Sequence, residues 1–169
     1  MIIEELNRDD LIKLVRMYAK NWLAHDGCWF LAAEKRHGLE EAIQIDKEGW
    51  IRFTVIEAKR IMKEFNIPRQ SGLDGLEKAL QLRLYASMNI QEIERSTKNV
   101  LIFKMKTCRV QEARERKKLP YFPCKEVGIE EYSRFASTID PRINTKVIAC
   151  PPDKGERDFH CGWEFTLEE

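Results

Sequence analysis

The chain has 169 residues, 43% of them apolar and 34% charged, with 29 basic side chains against 28 acidic ones. That length supports one hydrophobic core and that composition excludes a disordered chain, while a net charge of +1 supplies no general field for nucleic acid or an anionic membrane. The opening Met1-Ile2-Ile3-Glu4-Glu5 lacks the basic flank and apolar run of a secretory leader, and no stretch of about eighteen apolar residues follows, so a cytoplasmic protein without a membrane partner is expected.

From Asp9 to Gly38 the apolar residues Leu11, Val15, Tyr18, Trp22, Trp29 and Ala33 recur at three- and four-residue steps, which predicts a first helix closed by Gly38. Leu39 to Asn66 repeats the period through Ile43, Trp50, Thr54, Ala58, Ile61 and Phe65 before Pro68 stops it. A loop with Gly72 and Gly75 is expected next, then a third helix through Leu76, Leu80, Leu84 and Met88. Beyond Asn89 the texture changes. Ile90–Ser96 and Asn99–Thr107 read as a hairpin, with Leu101, Phe103 and Met105 alternating against Lys104 and Lys106. Arg109–Lys118 and Ile129–Ile139 read as two shorter helices, and Asn144–Cys150 and Phe159–Leu167 as closing strands. The expected architecture is α+β, with three N-terminal helices packed with a four-stranded antiparallel sheet and two further short helices, in a single domain over 1–169. An uncovered sheet edge would favour a homodimer.

Candidate chemistry begins in Trp22-Leu23-Ala24-His25-Asp26-Gly27-Cys28-Trp29, where helical spacing places His25 and Asp26 on the face of Tyr18, Trp22 and Trp29. A carboxylate facing inward needs a cation, a donor or a wet cavity, so this segment reads as the aromatic wall and acid/base pair of a small-molecule pocket, or else as a satisfied core pair. The five cysteines, Cys28, Cys108, Cys124, Cys150 and Cys161, are odd in number and read as free thiols. Cys108 falls where a strand runs into a helix, beside Arg109, which makes it the best candidate nucleophile or else an inert half-buried thiol. No Cys-x-x-Cys pair occurs, so neither a metal site nor a cofactor is expected. The mixed charges of Arg109–Lys118 read as a solvated helix face, which disfavours nucleic acid, and Asp140 with Arg142 reads as a turn-holding pair or a carboxylate clamp.

Together, Trp22–Trp29, Cys108-x-x-x-x-Ala113-Arg114, Phe122-Pro123-Cys124-Lys125, Glu131-Tyr132 with Phe135-Ala136, Ile139–Ile143, Cys150-Pro151-Pro152-Asp153 and Cys161-x-Trp163-Glu164-Phe165 resemble an uncharacterised family of small cytosolic prokaryotic proteins. More distantly, the order of elements is similar to the L-2-amino-thiazoline-4-carboxylic acid hydrolase family and to the vinyl-reductase-type small-molecule-binding domain. The resemblance brings no established activity.

The leading expectation is a small-molecule-binding domain with catalytic candidates Cys108, His25 and Asp26 and ligand-binding candidates Trp22, Trp29, Arg114, Cys124, Tyr132 and Arg142. The alternatives are a cysteine-dependent hydrolase or lyase acting on a small carboxylate-bearing substrate, and a metal-binding protein with Cys/His ligands.

Overall fold

The computed structural model describes residues 3–168. Helix α1 (Arg8–His37) starts where the Asn7 side chain accepts a hydrogen bond from the Asp10 N–H, with Asp9 and Asp10 in its first turn and Lys35, Arg36 and His37 in its last, each complementing the helix dipole. Gly38 has φ +87°, a conformation open to a residue without Cβ, and so passes the chain directly into α2 (Leu39–Glu64). The two long helices run back to back as a hairpin, joined through Trp22, Trp50 and Phe53, whose rings lie 5.5–6.2 Å apart.

Helix α3 (Gly72–Gln81) is followed by a 3-10 turn (Leu84–Ser87), β1 (Gln91–Thr97), β2 (Val100–Met105), α4 (Arg109–Arg116), α5 (Lys125–Ile139), β3 (Ile143–Ala149) and β4 (Cys161–Leu167). The four strands form one antiparallel sheet in the order β1-β2-β4-β3. Leu101, Phe103 and Met105 of β2 and Trp163 and Phe165 of β4 turn one face of that sheet against α3 and α5, where Leu76, Leu80, Tyr132, Phe135 and Ile139 complete a core drawn from both halves of the chain. Helix α2 packs on α5, and the buried Thr54 hydroxyl donates to the Glu131 carbonyl at 2.9 Å.

The α+β expectation holds at this level, with differences at four boundaries. Gly72 and Gly75 lie inside α3 instead of a loop, because the Asp140 carboxylate accepts from the Gly72 N–H at 2.9 Å and receives Arg142 as well, tying the helix start to the end of α5. The same helix ends at Gln81, before Leu84 and Met88, where Arg83 takes an extended backbone (φ −65°, ψ 153°) and turns into the core. There its guanidinium meets Glu57 at 2.8 Å and Glu131 at 2.7 Å, with the Phe135 ring 4.6 Å away. Helix α5 begins at Lys125 instead of Ile129, and β4 begins at Cys161 instead of Phe159.

Candidate functional site

A cleft of about 240 Å³ opens between α1 and α2, walled by Trp22, Phe30, Trp50 and Phe53, with Trp29 and Ile45 at its rim. Asp26 enters it from α1 and Asp46 from α2. Helical spacing sets this arrangement: Trp22 and Asp26 are one turn apart on α1, as are Asp46 and Trp50 on α2, so each helix offers a ring and a carboxylate on one stripe. Burial pushes the Asp26 carboxyl above its ordinary range, against the opposing pull of His25. Asp46 is pushed up to about 7, first by burial and then by Asp26 and Glu131, with the Trp50 side chain as a hydrogen-bond partner pulling the other way. Among the described residues neither carboxylate forms an ion pair.

A direct consequence is a pH-dependent stability. The folded state retains the Asp46 proton up to about pH 7, whereas the unfolded chain releases it from about 3.8, so this contribution is complete below 3.8 and is lost as pH rises toward 7. Asp46→Asn is therefore expected to change little near pH 4.5 and to stabilise by about 1–3 kcal/mol near pH 8. Denaturant unfolding at the two pH values checks it, and equal effects at both would overturn it.

Of the expected pocket residues, Trp22, Asp26 and Trp29 line the cleft, Trp29 with 69% of its surface exposed. His25 does not join them: it is exposed, because adjacent helix positions are about 100° apart and the inward stripe runs through Trp22 and Asp26. The expected inward His–Asp pair is thus an inward Asp–Asp pair. Arg114 is no free carboxylate clamp, since its guanidinium is held bidentately by Glu34 at 2.8 and 3.0 Å and its Nε donates to the Pro120 carbonyl. Arg142 is held by Asp140, also 2.8 Å away, and Tyr132 is buried with its ring stacked 4.6 Å from Trp163; neither lines the cleft.

The thiols form a second constellation. Cys28 is exposed on α1, whereas Cys108, Cys124, Cys150 and Cys161 all pack on the main core at one end of the sheet. Cys124 and Cys150 bring their sulfurs to 3.6 Å. Cys150 directly follows the Ala149–Gly162 pair of the β3–β4 ladder and so comes opposite Cys161, whose own partner on β2 is Met105. Burial pushes the Cys108 thiol up to about 12, with Cys161 and Cys124 adding to the rise, so the expected nucleophile is held protonated. Cys124 is shifted the other way, chiefly by its hydrogen bond with Cys150. Among the described residues no hydrogen bond links His25 or Asp26 to any thiol and no thiol lines the cleft, although Cys124 also packs on the aromatic cluster of Trp50 and Phe122 behind it. Asp46 and Phe53 escaped sequence reasoning, as did the place of Trp50 in the cleft, although the one-turn spacing of Asp46 and Trp50 was a usable signal.

The molecule is thus an α+β protein with a helical hairpin clasping an acidic aromatic cleft, backed by a sheet with four thiols at one end. Residues 4–167 match the model of a family of unknown function (DUF6125), and the chain belongs to that family. No curated protein and no solved structure matches it. None of the described helices is long and apolar enough to cross a membrane.

Proposed function

We propose that the protein binds a small organic cation in the α1–α2 cleft. The observation that carries this reading is the pair of carboxylates, Asp26 and Asp46, that enter an aromatic cavity and, among the described residues, form no ion pair. An apolar pocket alone favours any greasy ligand, and carboxylates in such a pocket oppose anions, but an ammonium group gains twice: Coulomb attraction to the acids and attraction to the aromatic rings that line the cavity. A cavity of about 240 Å³ sits just below the usual range for drug-sized ligands, which favours a compact amine.

The test is a tryptophan-fluorescence titration with choline and with its neutral isostere 3,3-dimethyl-1-butanol. Choline is expected to saturate the signal near pH 8, to bind about tenfold more weakly near pH 5 as Asp46 takes up its proton, and to bind at least about tenfold more weakly to Asp46→Asn. Equal binding of the neutral alcohol, or no saturable response to choline, would overturn the proposal.

A further inference from the structure

The thiol cluster has no part in the cleft, and its placement is more than the packing of four small apolar residues. Its members come from four separate segments: Cys108 lies just beyond β2, Cys124 just before α5, Cys150 just after β3 and Cys161 at the start of β4. The fold fixes two of these segments to one another. The Lys125 N–H donates to the Pro151 carbonyl at 2.9 Å, the Lys125 ammonium donates to both Asp153 oxygens, and Asp153 in turn accepts from the Cys150 N–H at 3.1 Å. That clasp holds Cys124 beside Cys150, while the β3–β4 register brings Cys150 opposite Cys161.

We infer that Cys108, Cys124, Cys150 and Cys161 are the ligands of a single tetrahedral zinc ion that ties the end of the sheet to the starts of α4 and α5. Two sulfurs sharing one zinc at about 2.3 Å in tetrahedral geometry stand about 3.8 Å apart, and the Cys124–Cys150 separation is 3.6 Å. Cys108 and Cys124 are the N-cap residues of α4 and α5; the first N–H of each helix is taken, by Asn89 and by Pro151, and the positive ends of the two helix dipoles favour negative sulfur. Among the described residues no lysine or arginine hydrogen-bonds to any of the four thiols, so the charge of sulfurs ionised on loading would be offset by the metal alone.

As they stand, no three or more His, Cys, Asp or Glu side chains among the described residues are placed to hold a metal ion, the four thiols included. Loading therefore turns Cys108 and Cys161 about their Cα–Cβ bonds toward the Cys124–Cys150 pair. The step is a proton exchange without redox change: one zinc(II) forms four Zn–S bonds, four S–H bonds break, and four protons leave to solvent, giving a tetrathiolate of charge −2.

The test is metal analysis by mass spectrometry of the full chain purified anaerobically, together with cobalt(II) substitution followed by its thiolate charge-transfer and ligand-field bands. We expect about one zinc per chain in the native protein and in Cys28→Ser, whose thiol lies apart on α1, and a cobalt spectrum of tetrahedral thiolate type. Cys124→Ser and Cys161→Ser should each retain less than about a tenth of that zinc and lose the tetrathiolate spectrum, with circular dichroism reporting whether each variant folds. Should the serine variants fail to fold, the native protein decides alone. Folded native protein that neither carries zinc nor takes up cobalt overturns the assignment, as does an iron–sulfur chromophore or a Cys124–Cys150 disulfide in protein kept free of oxidant.

Discussion

Replacing Arg83 with methionine is expected to lower the unfolding free energy by about 3–5 kcal/mol, the cost of leaving buried charges without their partner. The guanidinium is buried at the junction of α2, α5 and the turn after α3, where its Nε donates to Glu57 at 2.9 Å and its Nη2 lies 2.8 Å from Glu57 and 2.7 Å from Glu131. The Glu131 contact is close but lacks hydrogen-bond alignment, so Coulomb attraction carries it. Four aromatic rings, of Trp50, Tyr85, Tyr132 and Phe135, stand 4.6–5.9 Å from the guanidinium and add cation–π attraction. Methionine fills similar length yet strands both carboxylates, and burial already pushes Glu131 above the ordinary carboxylate range even with Arg83 present. Urea unfolding measures the loss. Combining Arg83→Met with Glu57→Leu and Glu131→Leu should recover most of it, since an apolar trio of similar volume has no charge to desolvate. A single-variant loss below about 1 kcal/mol would show that the ion network is not what holds the junction.

Gly128→Ala should cost about 2–4 kcal/mol, reversing the sign ordinarily expected of a glycine replaced inside a helix. Alanine in a helix gains about 1 kcal/mol over glycine through reduced unfolded-state freedom. At Gly128 that gain is outweighed, because an added Cβ would stand 2.7 Å from Cζ2 and 2.9 Å from Cη2 of Trp163. Trp163 has no room to yield: it is fully buried in the centre of β4 and stacked on Tyr132. Overpacking of this kind forces α5 away from the sheet or the indole off its rotamer. Thermal and urea unfolding of the variant test the point, and an unchanged or raised midpoint would mean that α5 can shift freely on the sheet.

The helical hairpin and the strand alternation were legible because they are periodic: an apolar residue each turn in α1 and α2, and every second residue in β2 and β4, is what a single buried face requires. Local rules could not show where Arg83 goes. Its spacing continued the third helix, and only the buried carboxylates of Glu57 and Glu131, contributed by two other helices, explain why the chain breaks there. The cleft was half visible. Trp22, Asp26 and Trp29 could be placed from α1 alone, whereas pairing Asp26 with Asp46 depends on how α2 folds back after Gly38, and the inward placement of His25 overlooked the angular step between adjacent residues. The thiols lacked the short spacing of metal motifs; strand register and the Lys125–Asp153 clasp gather them, and neither can be read from distances along the chain.

The strand order β1-β2-β4-β3 also bears on how the protein is made. β4, the last strand in chain order among the described residues, is an interior strand, hydrogen-bonded on one side to β2 and on the other to β3. On a ribosome, the first hairpin and β3 must wait as separate pieces, each with an unpaired edge, until residues 161–167 emerge. Pairs such as Leu101 with Phe165 then close loops of more than sixty residues at once, a slow, non-local step before which the first hairpin and β3 keep unpaired edges.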